Sequence, residues 1–454
     1  MSDFARKLSD YAHSLSYDDL SEKTIHEAKR RVLDTLGCAI GAYNAFPVKA
    51  VRQMALQVNG SSTLIGTNHK TTIELATFVN TTMSRYLDFM DTYFHAGEIV
   101  HPEDAIASIF AVAEAEGRNG RDVITSTVLA YEIACRFIDF ATIRTRGWDH
   151  VIWITMASSL ATSKLMNSSP EKMANALSIA VANNIPLRQT RIGGLSMWKG
   201  LTVAYASMAG TFAADLAKRG ITGPHQIYEG EKGFYNQVAG KRGLSIKKFC
   251  RHGDKFRIHD VHIKKYPAEI NSQSAIDAAF EVRKKIHNFN DIKKIIIYTY
   301  RSSYEIIADK SKWHPKNRET ADHSLPYIVC AALLWGKITE EEFTMKKITD
   351  PKIRKLLDKT EVIHSAECDR DYYPGMSNIV EVTLKNGTKL RSKVIHYRGS
   401  SKNPMSDGEL EEKFRELARK FLTTKQIDDA VKSIWNLEKE RDISRLLAHF
   451  VVKK

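Results

Sequence analysis

Three acids, a hydroxyl and two histidines crowd into one stretch, Asp88, Asp91, Thr92, His95, Glu98 and His101, with Pro102-Glu103-Asp104 directly after it. Such groups near a core must be hydrogen-bonded, solvated or put to use. An Ala-rich helical pattern follows at once, so the stretch reads as the floor of an active site. The spacing His95-x-x-Glu98-x-x-His101 is superficially that of a metal site. It is not the arrangement that sets two imidazoles at i and i+4 on one helix face, and Gly97 argues for a loop, so no metal is expected.

Four further groups carry titratable side chains. Asp149 and His150 follow Arg146-Gly147-Trp148 just ahead of a helical pattern. Arg188-Gln189-Thr190-Arg191 leads through Gly193-Gly194 to Trp198-Lys199-Gly200. Two arginines three apart share a face if helical, and planar guanidiniums hold carboxylates bidentately. Lys264-Lys265-Tyr266-Pro267-Ala268-Glu269 stands at a change of sequence style, and Asp322-His323-Ser324-Leu325-Pro326-Tyr327 opens an apolar helix. Each group alone reads equally well as helix caps or a solvated turn. No Gly-rich phosphate loop, GxSxG elbow or Cys-His nucleophile pattern is present. Acids, bases and cations without a nucleophile suit proton abstraction next to a carboxylate: cations stabilise the developing charge and an acid protonates a leaving hydroxyl.

The elements that position these residues are mainly helical. Residues 1 to about 260 read as helix after helix. Ser21 is placed to cap one in which Ile25, Ala28, Val32, Leu33, Leu36 and Ile40 form an apolar stripe, with Gly37 and Gly41 permitting close approach of a neighbour. Pro102 suits a first helical turn, with Glu103 and Asp104 complementing the positive end of the dipole and His101 at the helix start. The small residues Ala204, Ala206, Ser207, Ala209 and Gly210 suggest tightly packed helices. The style changes near 257. Lys293 to Tyr300 is β-rich, and Asn378 to Leu384, Asn386-Gly387 and Lys389 to Tyr397 give a strand-turn-strand signature with a type I′ dipeptide. Helical patterns at 272 to 286 and 324 to 335 lie between the strands. The reading is a mainly α protein, with a helical part over 1–261, a smaller α+β part over 262–400 and a helical segment over 401–454 that returns to the first.

A chain of 454 residues exceeds the roughly 250–300 that one core serves, which favours two domains. At 43% hydrophobic and 26% charged, without an apolar run of the roughly 18 residues a membrane span needs, it reads as globular. The start lacks a secretion signal, and five widely spaced cysteines fit free thiols in a reducing cytoplasm. The formal charge of +14 raises nucleic-acid binding, but the charge is spread, with short pairs such as Lys247-Lys248, Lys264-Lys265 and Lys293-Lys294. No basic tail, zinc finger or aromatic RNA-binding motif accompanies it, so a cleft attracting a small polyanion is the better reading.

At these same positions the sequence resembles the MmgE/PrpD superfamily, most closely its 2-methylcitrate dehydratase branch. The resemblance rests on Tyr86-Leu87-Asp88-Phe89-Met90-Asp91-Thr92 with His101-Pro102; Gly147-Trp148-Asp149-His150; Leu187-Arg188-Gln189-Thr190-Arg191; Lys199; Gly233-Phe234-Tyr235; Tyr266-Pro267-Ala268-Glu269 with Ser272-Gln273-Ser274-Ala275; and Ala321-Asp322-His323-Ser324-Leu325-Pro326-Tyr327. It implies a helical domain built from both chain ends, an α+β lid between them, homodimers, and a cofactor-free lyase of the citrate type with its site between domain and lid. It points to Asp88, Thr92, His101, Lys199, Lys264 and Tyr327 as pocket residues. Asn271 stands where dehydratase relatives often have His. The expected substrate is a small tricarboxylate: 2-methylcitrate, dehydrated to 2-methyl-cis-aconitate in propionate breakdown, with citrate dehydration and cis-aconitate decarboxylation as alternatives. Arg188, Arg191, Lys199 and Lys264 are expected to hold carboxylates, with Thr92, His150 and Glu269 beside them. His101 or Asp88 is the expected base, and Tyr327 or His323 the acid.

Overall fold

The computed structural model describes residues 2–95, 97–240, 249–373 and 375–453, so Lys247-Lys248 lies outside the described residues. Helices dominate the first half: Glu22–Gly41, Ile73–Tyr86, Ile106–Ala115, Gly120–Phe140, Ile152–Leu165, Pro170–Ala182 and Trp198–Lys218. Their starts follow from local chemistry. Ser21 accepts from Thr24 N, Thr72 from Leu75 N and Ser169 from Lys172 N, each satisfying an otherwise unpaired helical N–H. Pro102 opens a short 3₁₀ turn, Pro102–Ala105, which hands over to Ile106–Ala115, and His101 stands at its N-cap.

These helices share one apolar core, and small residues set its closest approaches. A Cβ on Gly210 would lie 2.3 Å from the Thr155 carbonyl, so helix Trp198–Lys218 packs nearly backbone to backbone on Ile152–Leu165. The same core takes in the C-terminal helix Asp407–Ala418: Leu410, Phe414 and Leu417 belong to it, and a Cβ on Gly37 would meet Phe414 at 3.0 Å. Lys413 of that helix pairs with Asp34 at 2.7 Å and donates to the carbonyls of Phe89 (2.7 Å) and Lys264 (2.9 Å).

A second core gathers Ala275, Ile276, Ile295, Ile297, Leu325, Ile328, Val380 and Val382. Its sheet runs Thr360–His364, Ile292–Thr299, Asn378–Leu384, Lys389–Val394, the first pair parallel and the others antiparallel. Helices Gln273–Arg283 and Leu325–Trp335 supply the remaining apolar side chains. The hairpin turn differs from the expected type I′. Gly387 has φ +87°, but Asn386 is not left-handed; Gly387 N donates to the Leu384 carbonyl, and Leu384 N to that of Thr388. The link is therefore a type I turn closed by a left-handed glycine, which a loop of three residues accommodates better than the two-residue I′ geometry.

A third, smaller apolar cluster of Phe94, Ile270, Tyr300, Met376, Ile379 and Tyr397 lies where the two cores meet. The short hairpin Tyr93–His95 and Glu98–Val100 reaches into it, and Thr92 exchanges two backbone hydrogen bonds with His262. Asp88 to His101 is thus fixed against the second half of the chain as well as the first.

Candidate active site

Helix Ile73–Tyr86 stops two residues before Asp88, whose φ of +51° is a left-handed conformation that non-glycine residues seldom adopt. Four side chains hold it there. Arg85 Nη1 donates to Oδ1 at 2.8 Å; Lys264 Nζ donates to Oδ1 at 3.1 Å and to the Asp88 carbonyl at 2.8 Å; Lys199 Nζ reaches Oδ2 at 3.3 Å; His323 Nε2 lies 3.5 Å away. Only 3% of Asp88 is exposed. Burial raises its proton affinity, but Lys199, Lys264 and Arg85 outweigh burial and hold the carboxyl well below its ordinary value. Asp88 is therefore held as a carboxylate with cations on both of its oxygens.

His101 presents a free ring nitrogen. Its Nδ1 lies 2.7 Å from the Asp91 carbonyl and 3.1 Å from Thr92 Oγ1. A carbonyl can only accept, so Nδ1 carries the proton and the free lone pair is on Nε2, on a ring that lines the cavity. Burial, then the nearby Arg85 and Lys264, keep the ring neutral well below the ordinary histidine value. Asp91 is locked behind it: Tyr131 donates to its carboxylate at 2.6 Å, and its N–H donates to Glu103 at 2.9 Å. His150 stands edge-on to His101, ring centres 5.6 Å apart, with Nδ1 on Asp149 at 3.0 Å and Nε2 buried with no partner among the described residues. Burial pushes it down to about 4. Arg191, also on the cavity wall, pairs with the same Asp149 at 3.0 Å.

These groups face one cavity of about 830 Å³, counting its open mouth, between the two cores. On its lining Arg85, Lys199 and Lys264 surround Asp88. Arg144 and Arg188, also on the lining, accompany Glu98, and Arg188 has no side-chain hydrogen bond or ion pair among the described residues. Burial, then Arg144, pulls Arg188 down to about 10, which still leaves it charged at neutral pH. Two carboxyls on the lining are close to neutrality. Burial raises Glu98, which accepts from Arg144 N at 2.7 Å, to about 7, and burial raises Glu269 to about 7 as well. Ile99, Leu195, Ile270, Ile306 and Met376 supply an apolar portion of the wall. A site rich in cations, holding one neutral imidazole with a free lone pair, suits a small polyanion from which a carbon-bound proton is removed.

Of the residues singled out by sequence, Asp88, His101, His150, Arg188, Arg191, Lys199, Lys264, Glu269 and His323 line this cavity, and Thr92 stands directly behind His101. Tyr327 requires correction. It is wholly buried in the second core and its hydroxyl donates to the Glu342 carbonyl, because its position in the first turn of an apolar helix aims it inward. Arg85, Arg144 and Asn271 line the cavity without having been singled out as site residues. For Arg85 a signal existed: a cation three residues before Asp88 at a helix end forms an i,i+3 pair. His95, Glu98 and His101 do not converge. His95 pairs across the hairpin with Glu98 and leans towards Asp139, 3.6 Å away. Among the described residues, the acid-histidine group close enough for a metal is Asp88, Asp322 and His323, and the Lys199 ammonium already stands there, 3.3 Å from Asp88 and 3.5 Å from His323.

Comparison with known proteins gives a match to the MmgE/PrpD N-terminal domain over residues 6–247 and to the MmgE/PrpD C-terminal domain over 266–437. A cis-aconitate decarboxylase of Homo sapiens is 29% identical over 96% of this chain and 92% of its own length. A mitochondrial 2-methylcitrate dehydratase of Yarrowia lipolytica is 28% identical over 86% of this chain and 78% of its own. The 2-methylcitrate dehydratase of Escherichia coli strain K12 is 27% identical, covering 93% and 92%.

Proposed function

The chain belongs to the MmgE/PrpD family, and from that premise we propose that it is a cofactor-independent hydro-lyase that dehydrates 2-methylcitrate to 2-methyl-cis-aconitate in propionate breakdown. The observation that carries this reading is the pairing of the His101 lone pair with the cation cluster of Arg85, Lys199 and Lys264 in one buried cavity that has a further free cation, Arg188, elsewhere on its wall. Three carboxylates on one small molecule need several fixed cations, and holding them orients the reacting C–H and C–OH bonds before reaction. Removing a proton beside a carboxylate places negative charge on that group, where a Lys199 or Lys264 ammonium stabilises it in a site largely shut off from water. His101 Nε2 is the base, with the Asp91 carbonyl fixing its tautomer. The apolar wall of Ile99, Ile270 and Met376 offers a seat for the methyl group; one methyl is worth about 1–3 kcal/mol of discrimination against citrate.

A second reading, decarboxylation of cis-aconitate, is favoured by the human relative of that name, whose aligned region covers nearly all of this chain. Both reactions use fixed carboxylates; only the first needs a departing hydroxyl. Incubating purified protein with 2-methylcitrate, citrate and cis-aconitate, and following alkene absorbance against released CO₂, separates them. Alkene formation fastest from 2-methylcitrate supports the dehydratase; CO₂ from cis-aconitate without dehydration overturns it.

The proposal extends to assembly and location. Division into parts 1–261, 262–400 and 401–454, the middle one serving as a lid, is supported by the two separate cores. A homodimer is supported by Trp198, Tyr205 and Phe212, seven residues apart along one helix and 47–48% exposed, with exposed Leu187, Ile192 and Met197 nearby in sequence; the buried free thiols of Cys38, Cys135, Cys250, Cys330 and Cys368 fit a cytoplasmic location. No helix among the described residues is long and apolar enough to cross a membrane.

A further inference from the structure

With Tyr327 turned into the second core, the departing hydroxyl still needs a proton. We propose that Glu269 is the general acid that protonates this hydroxyl, and that Asn271 is the positioning residue that aims it; the proposal rests on the lyase reading above.

Glu269 lines the cavity with 7% of its surface exposed, from the stretch that leads into the 3₁₀ turn Ile270–Ser272. It is clamped from one side only. Asn271 N donates to Oε2 at 2.7 Å and Asn271 Nδ2 donates to Oε1 at 2.7 Å, so each oxygen keeps a second lone-pair direction. The Asn271 amide is itself fixed in orientation, because the Tyr300 hydroxyl donates to its Oδ1. Its carbonyl receives Asn378 Nδ2 at 2.9 Å, and the Glu269 N–H donates to the Asp322 carbonyl at 2.9 Å. A side chain held by this many fixed partners is preorganised in the way a proton donor requires.

The other candidates are engaged. Asp88 is gripped by three cations and stays charged. His323 presents Nδ1 to Asp322 and has Nε2 beside the Asp88 carboxylate, so at neutral pH its single ring proton is held by an acid and not by the substrate. Glu98 is engaged by Arg144, whose N–H donates to its Oε1 at 2.7 Å. The charged groups that face Glu269 are Lys264, Asp88 and Lys199, and Lys264 and Asp88 also act on His101. Glu269 and His101 line the same cavity, one from the second half of the chain and the other from the first. Burial, only partly offset by Lys264, holds Glu269 at about 7, which suits an acid that must be protonated near neutral pH.

The step balances as follows. His101 Nε2 takes the proton from the carbon next to the carbinol carbon, and the C–H electron pair becomes the new C=C bond. The C–O bond breaks, its electron pair leaves with oxygen, and the Glu269 proton converts the hydroxyl to water. Imidazolium and carboxylate remain; His101 then releases one proton to solvent and Glu269 takes one up.

The test uses the full chain and two substrates: 2-methylcitrate and its analogue with chlorine in place of the hydroxyl, since chloride leaves without a proton. E269Q is expected to lose about 10²- to 10⁴-fold in kcat/KM on the hydroxyl substrate while retaining chloride elimination within a few-fold, which also shows that it is folded. H101A is expected to lose both. Parallel loss of both substrates in folded E269Q, or loss of neither, overturns the assignment. E98Q is expected to leave the ratio of the two rates unchanged; a shift in that ratio as large as for E269Q also overturns it. N271A removes one donor to the carboxylate and is expected to move the basic limb of the kcat/KM profile to higher pH, whereas an unmoved limb refutes the positioning role. A wild-type protein inactive on both substrates refutes the lyase reading itself.

Discussion

Replacing Asp88 by Asn keeps the shape of the side chain and removes the one charge that Arg85, Lys199 and Lys264 share. Lys199 and Lys264 would lose their ion-pair partner while buried. Breaking a buried pair from one side costs about 3–5 kcal/mol. With about 2.1 cal/mol/K per residue of unfolding entropy over roughly 300 cooperative residues, this lowers Tm by about 5–8 °C. Lys199, already held below its ordinary value by burial with Asp88 opposing, would tend further towards the neutral amine. Turnover on 2-methylcitrate should therefore fall by about 10²-fold or more, although the residue is not the base. The unpaired cations should still be satisfied by a bound tricarboxylate, so its addition should raise the Tm of the variant by at least as much as it raises that of the wild type. Calorimetry with and without the tricarboxylate measures both effects. A Tm within about 1 °C of wild type, or a variant that the tricarboxylate no longer protects, would refute the view of Asp88 as the anchor of a substrate-directed cation cluster.

Arg188 has no side-chain hydrogen bond or ion pair among the described residues, so R188A should raise KM for tricarboxylates by roughly 10-fold or more while leaving kcat within a few-fold; a kcat collapse at unchanged KM would contradict a binding role. Y327F should cost about 1 kcal/mol of stability through the lost bond to Glu342 and keep near-wild-type turnover, and a large rate loss with intact folding would return Tyr327 to the chemistry. Stability should change little between about pH 4.5 and 6.5, because two slopes oppose. His150 and His323, both held at about 4, and His262, held at about 3, fail to take up protons that the unfolded chain binds below about 6.5, which costs stability as pH falls. Glu98, Glu269 and Asp104, all held at about 7, keep protons that the unfolded chain releases above about 4, which costs stability as pH rises. Urea midpoints across that range should be nearly level, and a steep trend in either direction would show that one set dominates.

Local signals made much of this legible. Ser21, Thr72 and Ser169 cap the helices they precede, and the alternation of Ile295, Ile297 and Thr299 marks a strand buried on one face. The Asp88 to His101 stretch stood out because polar groups crowd there ahead of an apolar helix. Arg144 did not, since Arg144-Thr145-Arg146 has the look of a solvated turn and only the fold brings it over Gly97 and Glu98. Tyr327 was misplaced for a related reason: its partner carbonyl is fifteen residues on, in a segment with no sequence link to it. The Asn386-Gly387 pair signalled a turn correctly, yet the dipeptide does not say whether glycine fills the last loop position or the second central one.

Lys413 has a consequence for how the protein is made. It donates to the carbonyl of Phe89, 324 residues earlier, and neutralises Asp34 in the same interior. At about 5–20 residues per second, the ribosome needs roughly 15–65 s to get from one partner to the other. During that interval the nascent helical half would have Asp34 without its cation and the Gly37 notch without Phe414, exposed surface of the kind that chaperones engage. Losing the last few dozen residues would thus be felt at Asp34 and at the Phe89 carbonyl beside Asp88, far from Lys413 in sequence and in direct contact with it in the fold.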